Sequence, residues 1–309
     1  MNDAEILEKY YNLERTANAP HLPMESKIHS LLNKSTKKML VSERKDSYPE
    51  FFWDEQRFNL YKSSLFRGLN QEKRNIILKT LSNHSLMTSY YIEKSAICLS
   101  SKLVSLSESI EEKAMYTMIG AEEVYHWLEF QNFINFVPEQ YPNNSLLIKS
   151  IGDLTQKCDK LTSIYVGQVF LEGFGMHFYR SLGESCLDKD LSLVFDRIIE
   201  DEARHHGTAL VIFNRDSGKL EKNNELIDRL SSLIKILLNH HLHLLNVIET
   251  VTGELSIQER IKIMDEIDAE KQMESRAQKI KQMFTKSGEQ EIINLLDESQ
   301  AFKVSLDYS

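Results

Sequence analysis

Hydrophobic positions run through long stretches of Leu, Ile and Met interleaved with Glu and Lys, and only five prolines and eleven glycines interrupt 309 residues. Such stretches favour helices over short turn-bounded strands, so the predicted fold class is all-α. Asn70 before Gln71-Glu72-Lys73 marks the cap of a long helix A, about 71 to 105. Ser109-Ile110-Glu111-Glu112 is a capping box opening helix B, about 110 to 136. Pro138, Pro142 and Asn143-Asn144 stop it, and the stretch to about 155 serves as a long crossover. Helix C follows over about 155 to 183, and Asp188 caps helix D, about 189 to 214.

The flanks read differently. Residues 1–70, with Pro20, Pro23, Pro49 and the cluster Phe51-Phe52-Trp53, predict short helices and loops covering one side of a bundle. Residues 221–309 predict further amphipathic helices, among them Leu226 to Val251, and a polar tail. The whole chain, 1–309, is expected to form one domain around a four-helix core at 71–214.

One constellation occurs twice on these helices. Glu123-Val-Tyr-His126 and Glu202-Ala-Arg-His205 are Glu-x-x-His motifs, and each follows another glutamate, Glu93 or Glu172, by thirty residues. Positions i and i+3 share a helix face, so each motif presents a carboxylate and an imidazole together. A single Glu-x-x-His arises by chance in a chain this rich in glutamate; a matched pair with equal intervals does not do so readily. The predicted turns near 106–109 and 184–188 fall midway between the glutamates of each pair. In antiparallel hairpins both carboxylates then return to one height, ~20 Å from the turn.

Carboxylate oxygen and imidazole nitrogen suit iron and manganese, and four glutamates balance two divalent ions. By symmetry Glu93 and His126 are assigned to one ion, Glu172 and His205 to the other, with Glu123 and Glu202 as bridges. Asp201 and Glu122, each just before a motif glutamate, are placed to accept the remaining ring N–H of the histidines.

Charge and composition narrow the partners. A formal charge of −9 and a pI near 5.6 argue against a nucleic-acid backbone, and the Lys37-Lys38 cluster is too short to alter that. Cys98, Cys158 and Cys186, odd in number and widely spaced, predict reduced thiols in a cytoplasmic protein. No signal peptide or membrane-length apolar run is evident.

The order Glu, Glu-x-x-His, Glu, Glu-x-x-His over Leu81 to Phe213 resembles the ferritin-like di-iron carboxylate superfamily, a pattern general to such bundles. Within it, Asp201-Glu202-Ala203-Arg204-His205 is similar to the Asp-Glu-x-Arg-His signature of oxygen-activating members; the first motif departs, with Glu122 for Asp and Tyr125 for Arg. The layout is most similar to the para-aminobenzoate N-oxygenase type. Ile198 stands where that family has an additional ligand histidine, which leaves the arylamine reaction itself unassigned. The resemblance implies a ferritin-like four-helix bundle with a long B–C crossover and added terminal helices. It implies two iron ions, with manganese able to replace one, and dioxygen as co-substrate. Glu93, Glu123, His126, Glu172, Glu202 and His205 would be both ligands and catalytic residues of an oxygenase or oxidase. The partners expected are a small organic substrate and an electron-donating reductase or ferredoxin, with no nucleic acid and no membrane; a homodimer is allowed.

Several readings stay open. A non-catalytic ferritin-like protein for iron handling or electron transfer would show the same six side chains, although its usual forms lack such long flanks. Among enzymes, hydroxylase, amine oxygenase, aldehyde-deformylating oxygenase, fatty-acid desaturase and tRNA hydroxylase share the ligand pattern. Gly173 and Gly175 either leave room beside Glu172 or permit close helix packing. Tyr90, Tyr165 and Tyr179 share the ligand stripe, more often as core aromatics than as reactive groups. His177 and His206 point away from it, and His240, His241 and His243 have poor phase for joint ligation.

Overall fold

The computed structural model describes residues 27–36, 39, 40, 42, 45, 47–135, 146–239, 241–286 and 288–304, and every regular element among them is helical. The all-α expectation is met by a helical bundle. Helices are numbered α1 (Lys27–Thr36), α2 (Ser64–Gly68), α3 (Gln71–Leu106), α4 (Ile110–Phe133), α5 (Leu146–Lys157), α6 (160–184) and α7 (Lys189–Asp216). Beyond these lie α8 (Asn224–Leu238), α9 (His241–Thr252), α10 (Ile257–Glu266), α11 (Ala269–Lys286) and α12 (Gln290–Glu298). Two compact units result. One holds the described residues within 1–46, 86–176 and 193–220, and the other those within 47–85, 177–192 and 221–309.

Local chemistry sets the helix starts. Asn70 Oδ1 accepts from the Lys73 amide at 2.9 Å at the head of α3, and Asp188 Oδ1 accepts from Asp190 and Leu191, both at 3.0 Å, at the head of α7. Ser109 Oγ accepts from the Glu112 amide at 3.1 Å, as a capping box requires, but the reciprocal half is missing. The Glu112 carboxylate is drawn instead to Lys160 Nζ at 2.6 Å and Arg215 Nη2 at 2.5 Å, because two cations outcompete one amide for a buried carboxylate.

The expected helices B and C and the crossover between them need three further corrections, whereas helix D is found as expected at Lys189–Asp216. Helix α4 ends at Phe133, where Ile134 turns extended; Pro138, Pro142, Asn143 and Asn144 lie outside the described residues, as do Pro20, Pro23, Lys37, Lys38 and His240. The crossover carries a helix of its own, α5. Helix C starts late, at a new cap where Asp159 Oδ1 accepts from Thr162 N at 3.0 Å. The break is held from a distance: Lys102 Nζ donates to the carbonyls of Leu154 (3.0 Å) and Cys158 and to Ser163 Oγ (3.0 Å), so a cation sits at the negative end of α5. Leu226 to Val251 is likewise two helices, α8 and α9, parted after Leu238.

Helix α6 is irregular in a way that matters for the site. A turn at Lys160–Thr162 leads into a π-helical stretch, Ser163–Glu172, and then into α-helix over Gly173–Glu184. Wide i→i+5 turns of this kind are rare and change the phase of the residues that follow. Gly167 belongs to the stretch because a Cβ there would lie 2.6 Å from Leu99 Cδ2 and 3.2 Å from Leu154 Cδ2. At Gly175, by contrast, a Cβ would meet nothing within 4 Å, so close packing does not require that glycine.

The core of the first unit is aromatic. Tyr90, Tyr116, Phe130, Phe133, Tyr165, Phe170, Phe195 and Phe213 are buried, with Phe130 against Phe195 at 5.5 Å and Tyr165 against Phe213 at 4.9 Å between ring centres. Each large side chain removed from water contributes roughly 1.5–3 kcal/mol, which fixes the facing helices around whatever polar groups they enclose. The second unit packs Leu60, Phe66, Ile77, Leu81, Leu245, Ile248 and Met264, while Trp53, fully buried, donates Nε1 to Leu182 O at 2.8 Å. Among the described residues no helix is long and apolar enough to cross a membrane.

Candidate metal centre

All six side chains singled out by spacing belong to the first unit. They come from α3 (Glu93), α4 (Glu123, His126), the last π-helical residue of α6 (Glu172) and α7 (Glu202, His205). Ligand atoms of Glu93, Glu123, His126 and Glu202 lie within 4.8 Å of one another, and so do those of Glu123, Glu172 and His205. Glu93, Glu123, His126 and His205 are at most 2% exposed and Glu202 is 4% exposed; Glu172 is half-buried.

Glu123 is common to both sets. Its Oε2 lies 3.3 Å from His126 Nδ1 and its Oε1 3.3 Å from His205 Nδ1. Glu202 Oε1 also approaches both imidazoles, at 3.7 and 3.8 Å, but groups with the first set only. Glu93 Oε2 completes that set at 3.1 Å from His126 Nδ1. The two imidazole rings stand 6.1 Å apart between centres.

Both histidines turn Nδ1 inward and Nε2 outward, and the outward nitrogens have the acidic partners expected of them. His126 Nε2 meets Asp201 Oδ2 at 3.0 Å, and His205 Nε2 meets Glu122 Oε2 at 2.7 Å. The partners are exchanged between motifs: Asp201 of α7 serves the histidine of α4, and Glu122 of α4 serves the histidine of α7. A carboxylate accepts only, so each Nε2 carries a proton, and a cation that replaced the proton on Nδ1 would meet a lone pair directed to the interior.

Arg204 joins the two. Its Nη1 donates to Asp201 Oδ1 and its Nη2 to Glu122 Oε1, both at 2.7 Å. One guanidinium therefore orients both carboxylates, which explains how the first motif manages with Tyr125 where the second has arginine.

Electrostatics show what the arrangement costs without cations. Burial pushes the Glu172 and Glu202 carboxyls well above the usual carboxylate range and that of Glu93 up to about 7, with neighbouring carboxylates adding to the shift. Burial also opposes charge on Glu123, but hydrogen bonds from His126 and His205 outweigh it and hold that carboxyl low. The imidazoles are driven the other way. Burial disfavours their charge, yet the surrounding carboxylates raise His205 to about 9 and His126 well above its ordinary value. One buried atom, Glu172 Oε2, also lacks any hydrogen-bond partner, and His205 Nδ1 faces Glu123 Oε1 at 3.3 Å without a well-aligned hydrogen bond, although buried polar groups in proteins are nearly always satisfied. A hard or borderline divalent cation fits this set of atoms: it would replace the protons, neutralise the carboxylates and complete the orphaned atoms.

The remaining candidates do not join the cluster. Tyr90 is buried against Trp127 at 6.0 Å and Tyr165 against Phe213; Tyr179 is buried and belongs to the second unit. His177 is exposed, and His206 Nδ1 lies 3.2 Å from Gln168 O. His241 and His243 belong to the second unit, where His243 stacks on His84. Sequence reasoning missed Tyr116 and Gln168, which flank the ligand glutamates at i−7 from Glu123 and i−4 from Glu172. Helical phase was the only signal for either. It also missed a groove of about 400 Å³ between α4 and α7, walled by Met118, Ile119 and Val211 and reaching Glu122, Arg204 and His205.

No protein-family model matches the chain, and neither a curated protein nor a solved structure matches it.

Proposed function

We propose that the protein is a non-haem di-iron oxygenase or oxidase that activates dioxygen to oxidise a small organic substrate. The observation that carries this reading is the position of Glu123, whose two oxygens each lie 3.3 Å from the inward nitrogen of a different histidine. A carboxylate so placed would serve two cations rather than one.

When bound, a pair of iron ions supplies the electron-transfer chemistry that dioxygen reduction needs and that amino-acid side chains lack. Glu93, Glu123, His126 and Glu202 would hold one ion, and Glu123, Glu172 and His205 the other. Asp201 and Glu122 keep the ring protons on Nε2 and the Nδ1 lone pairs inward. The aromatic core around the cluster excludes bulk water, which protects oxidising chemistry from side reactions. Electrons come from an external donor, and manganese in place of one iron fits the same atoms.

The test is direct. Protein produced with ample iron should hold two ions per chain and consume dioxygen when reduced; Glu123→Ala and His205→Ala should lose bound iron and turnover while keeping helical content. Full metal content in Glu123→Ala sinks the ligand assignment, and two bound ions with no oxygen consumption favour an iron-handling protein instead.

A further inference from the structure

The two ligand sets are unequal: four side chains form the first and three the second. Two more buried polar atoms lack hydrogen-bond partners, Gln168 Oε1, on a side chain in contact with Glu172 of the smaller set, and Tyr116 Oη, on the helix that carries Glu123; these side chains are 1% and 0% exposed. Neither atom is a member of the clusters that a cation would satisfy.

Their placement is informative. Gln168 stands one turn before Glu172 inside the π-helical stretch, and its Nε2 donates to Glu172 Oε1 at 3.3 Å. Because a cation-bound carboxylate only accepts, the amide nitrogen would face Glu172 there, with the amide oxygen left open beside it. Tyr116 occupies the stripe of α4 two turns before Glu123. Its phenol oxygen can accept a hydrogen bond as well as donate one. Leaving a buried acceptor unsatisfied costs about 1–3 kcal/mol, and here the open Gln168 oxygen is on a side chain that contacts the set with fewer side chains.

An aprotic ligand would leave the Gln168 amide oxygen unsatisfied, since that atom only accepts, whereas one bearing O–H or N–H groups would satisfy it and the phenol oxygen of Tyr116 alike. We infer that the cation held by Glu123, Glu172 and His205 keeps one exchangeable position for a small protic ligand, and that Gln168 and Tyr116 accept its hydrogens. This rests on the metal reading above and narrows it: the substrate class is one that presents a hydroxyl or amino group to the metal.

Cobalt(II) provides the test, since its visible bands report the ligand set without turnover. Anaerobic protein loaded with two cobalt ions is titrated with hydroxylamine, which is protic, and with thiocyanate, which is not. Gln168→Met, conservative in size, should weaken hydroxylamine about fivefold, the worth of one net hydrogen bond, and leave thiocyanate within about twofold; Tyr116→Phe, on a separate helix, should weaken hydroxylamine as well. Unchanged hydroxylamine affinity in both variants overturns the inference, as does an equal loss of both ligands in Gln168→Met with two cobalt ions retained. Wild-type protein that holds two cobalt ions but responds to neither ligand overturns the exchangeable position while leaving the metal centre standing. A wild-type chain that holds no cobalt pair overturns the metal reading and this inference with it.

Discussion

His126 and Asp201 sit 75 residues apart on different helices, yet the imidazole Nε2 lies 3.0 Å from the carboxylate Oδ2. With the reciprocal contact of His205 and Glu122, each Glu-x-x-His motif is oriented by the acid that precedes the glutamate of the other. The two halves of the repeat are thus interdependent through their outer contacts as well as through Glu123. Arg204 closes the circuit.

This exchange predicts which site each outer carboxylate controls. Asp201→Asn should weaken metal at the His126 set, and Glu122→Gln at the His205 set, by about 10–100-fold each. Arg204→Ala, which frees both carboxylates, should weaken both sets and do so less. Two-site titration of each variant checks the pattern; if Asp201→Asn depresses the His205 set instead, the crossed arrangement is wrong.

Stoichiometry should follow set membership. Glu172→Ala removes one of three side chains from the second set and none from the first, so it should leave close to one ion per chain, whereas Glu123→Ala should leave none. Elemental analysis after dialysis decides between them. Two ions retained in Glu172→Ala would remove that residue from the centre.

The sequence carried the six clustered side chains because helical period alone puts i and i+3 on one face, and equal thirty-residue intervals align two hairpins. Asp201 and Glu122 were legible as acids beside ligands. Their crossing was not, since it depends on how α4 faces α7. Glu112 shows the limit of local rules: its sequence promised a capping partner, but Lys160 and Arg215, 48 and 103 residues away, claimed the carboxylate. The start of α6 escaped for the same reason, because Lys102 fixes it from another helix. Tyr116 and Gln168 had the right phase but no spacing motif to mark them.

Protons should compete with metal. Metal loading must displace protons from Glu172, Glu202, Glu93 (about 7) and His205 (about 9), all raised in the folded protein. Affinity should therefore rise with pH through roughly 7 to 9 and fall on acidification, and loading near neutrality should release protons. Calorimetry in buffers of different protonation enthalpy measures that release. Binding accompanied by no proton release would mean that the carboxyls and imidazoles are already in their metal-ready state.

Acid should also act on the second unit, through a pair of rings unrelated to metal. His84 and His243 stack with centres 3.5 Å apart and planes at 27°. Burial, then the neighbouring ring, lowers His84 from 6.5 to about 3, and burial lowers His243 as well. The folded protein thus refuses a proton that the unfolded chain takes up below about 6.5. Stability contributed by the neutral pair is present above that value and is lost as pH falls from about 6.5 towards 3, levelling off beneath it. At pH 4 the loss from His84 alone should be roughly 3 kcal/mol, because the unfolded chain gains about 1.4 kcal/mol from protonation for every pH step below 6.5 while the folded ring stays neutral. His84→Phe keeps a stacked ring and removes the titrating nitrogen, so its melting temperature should fall less steeply than wild type between pH 7 and pH 4. Parallel melting curves for the two proteins across that range would show that the pair is not what makes the unit acid-sensitive.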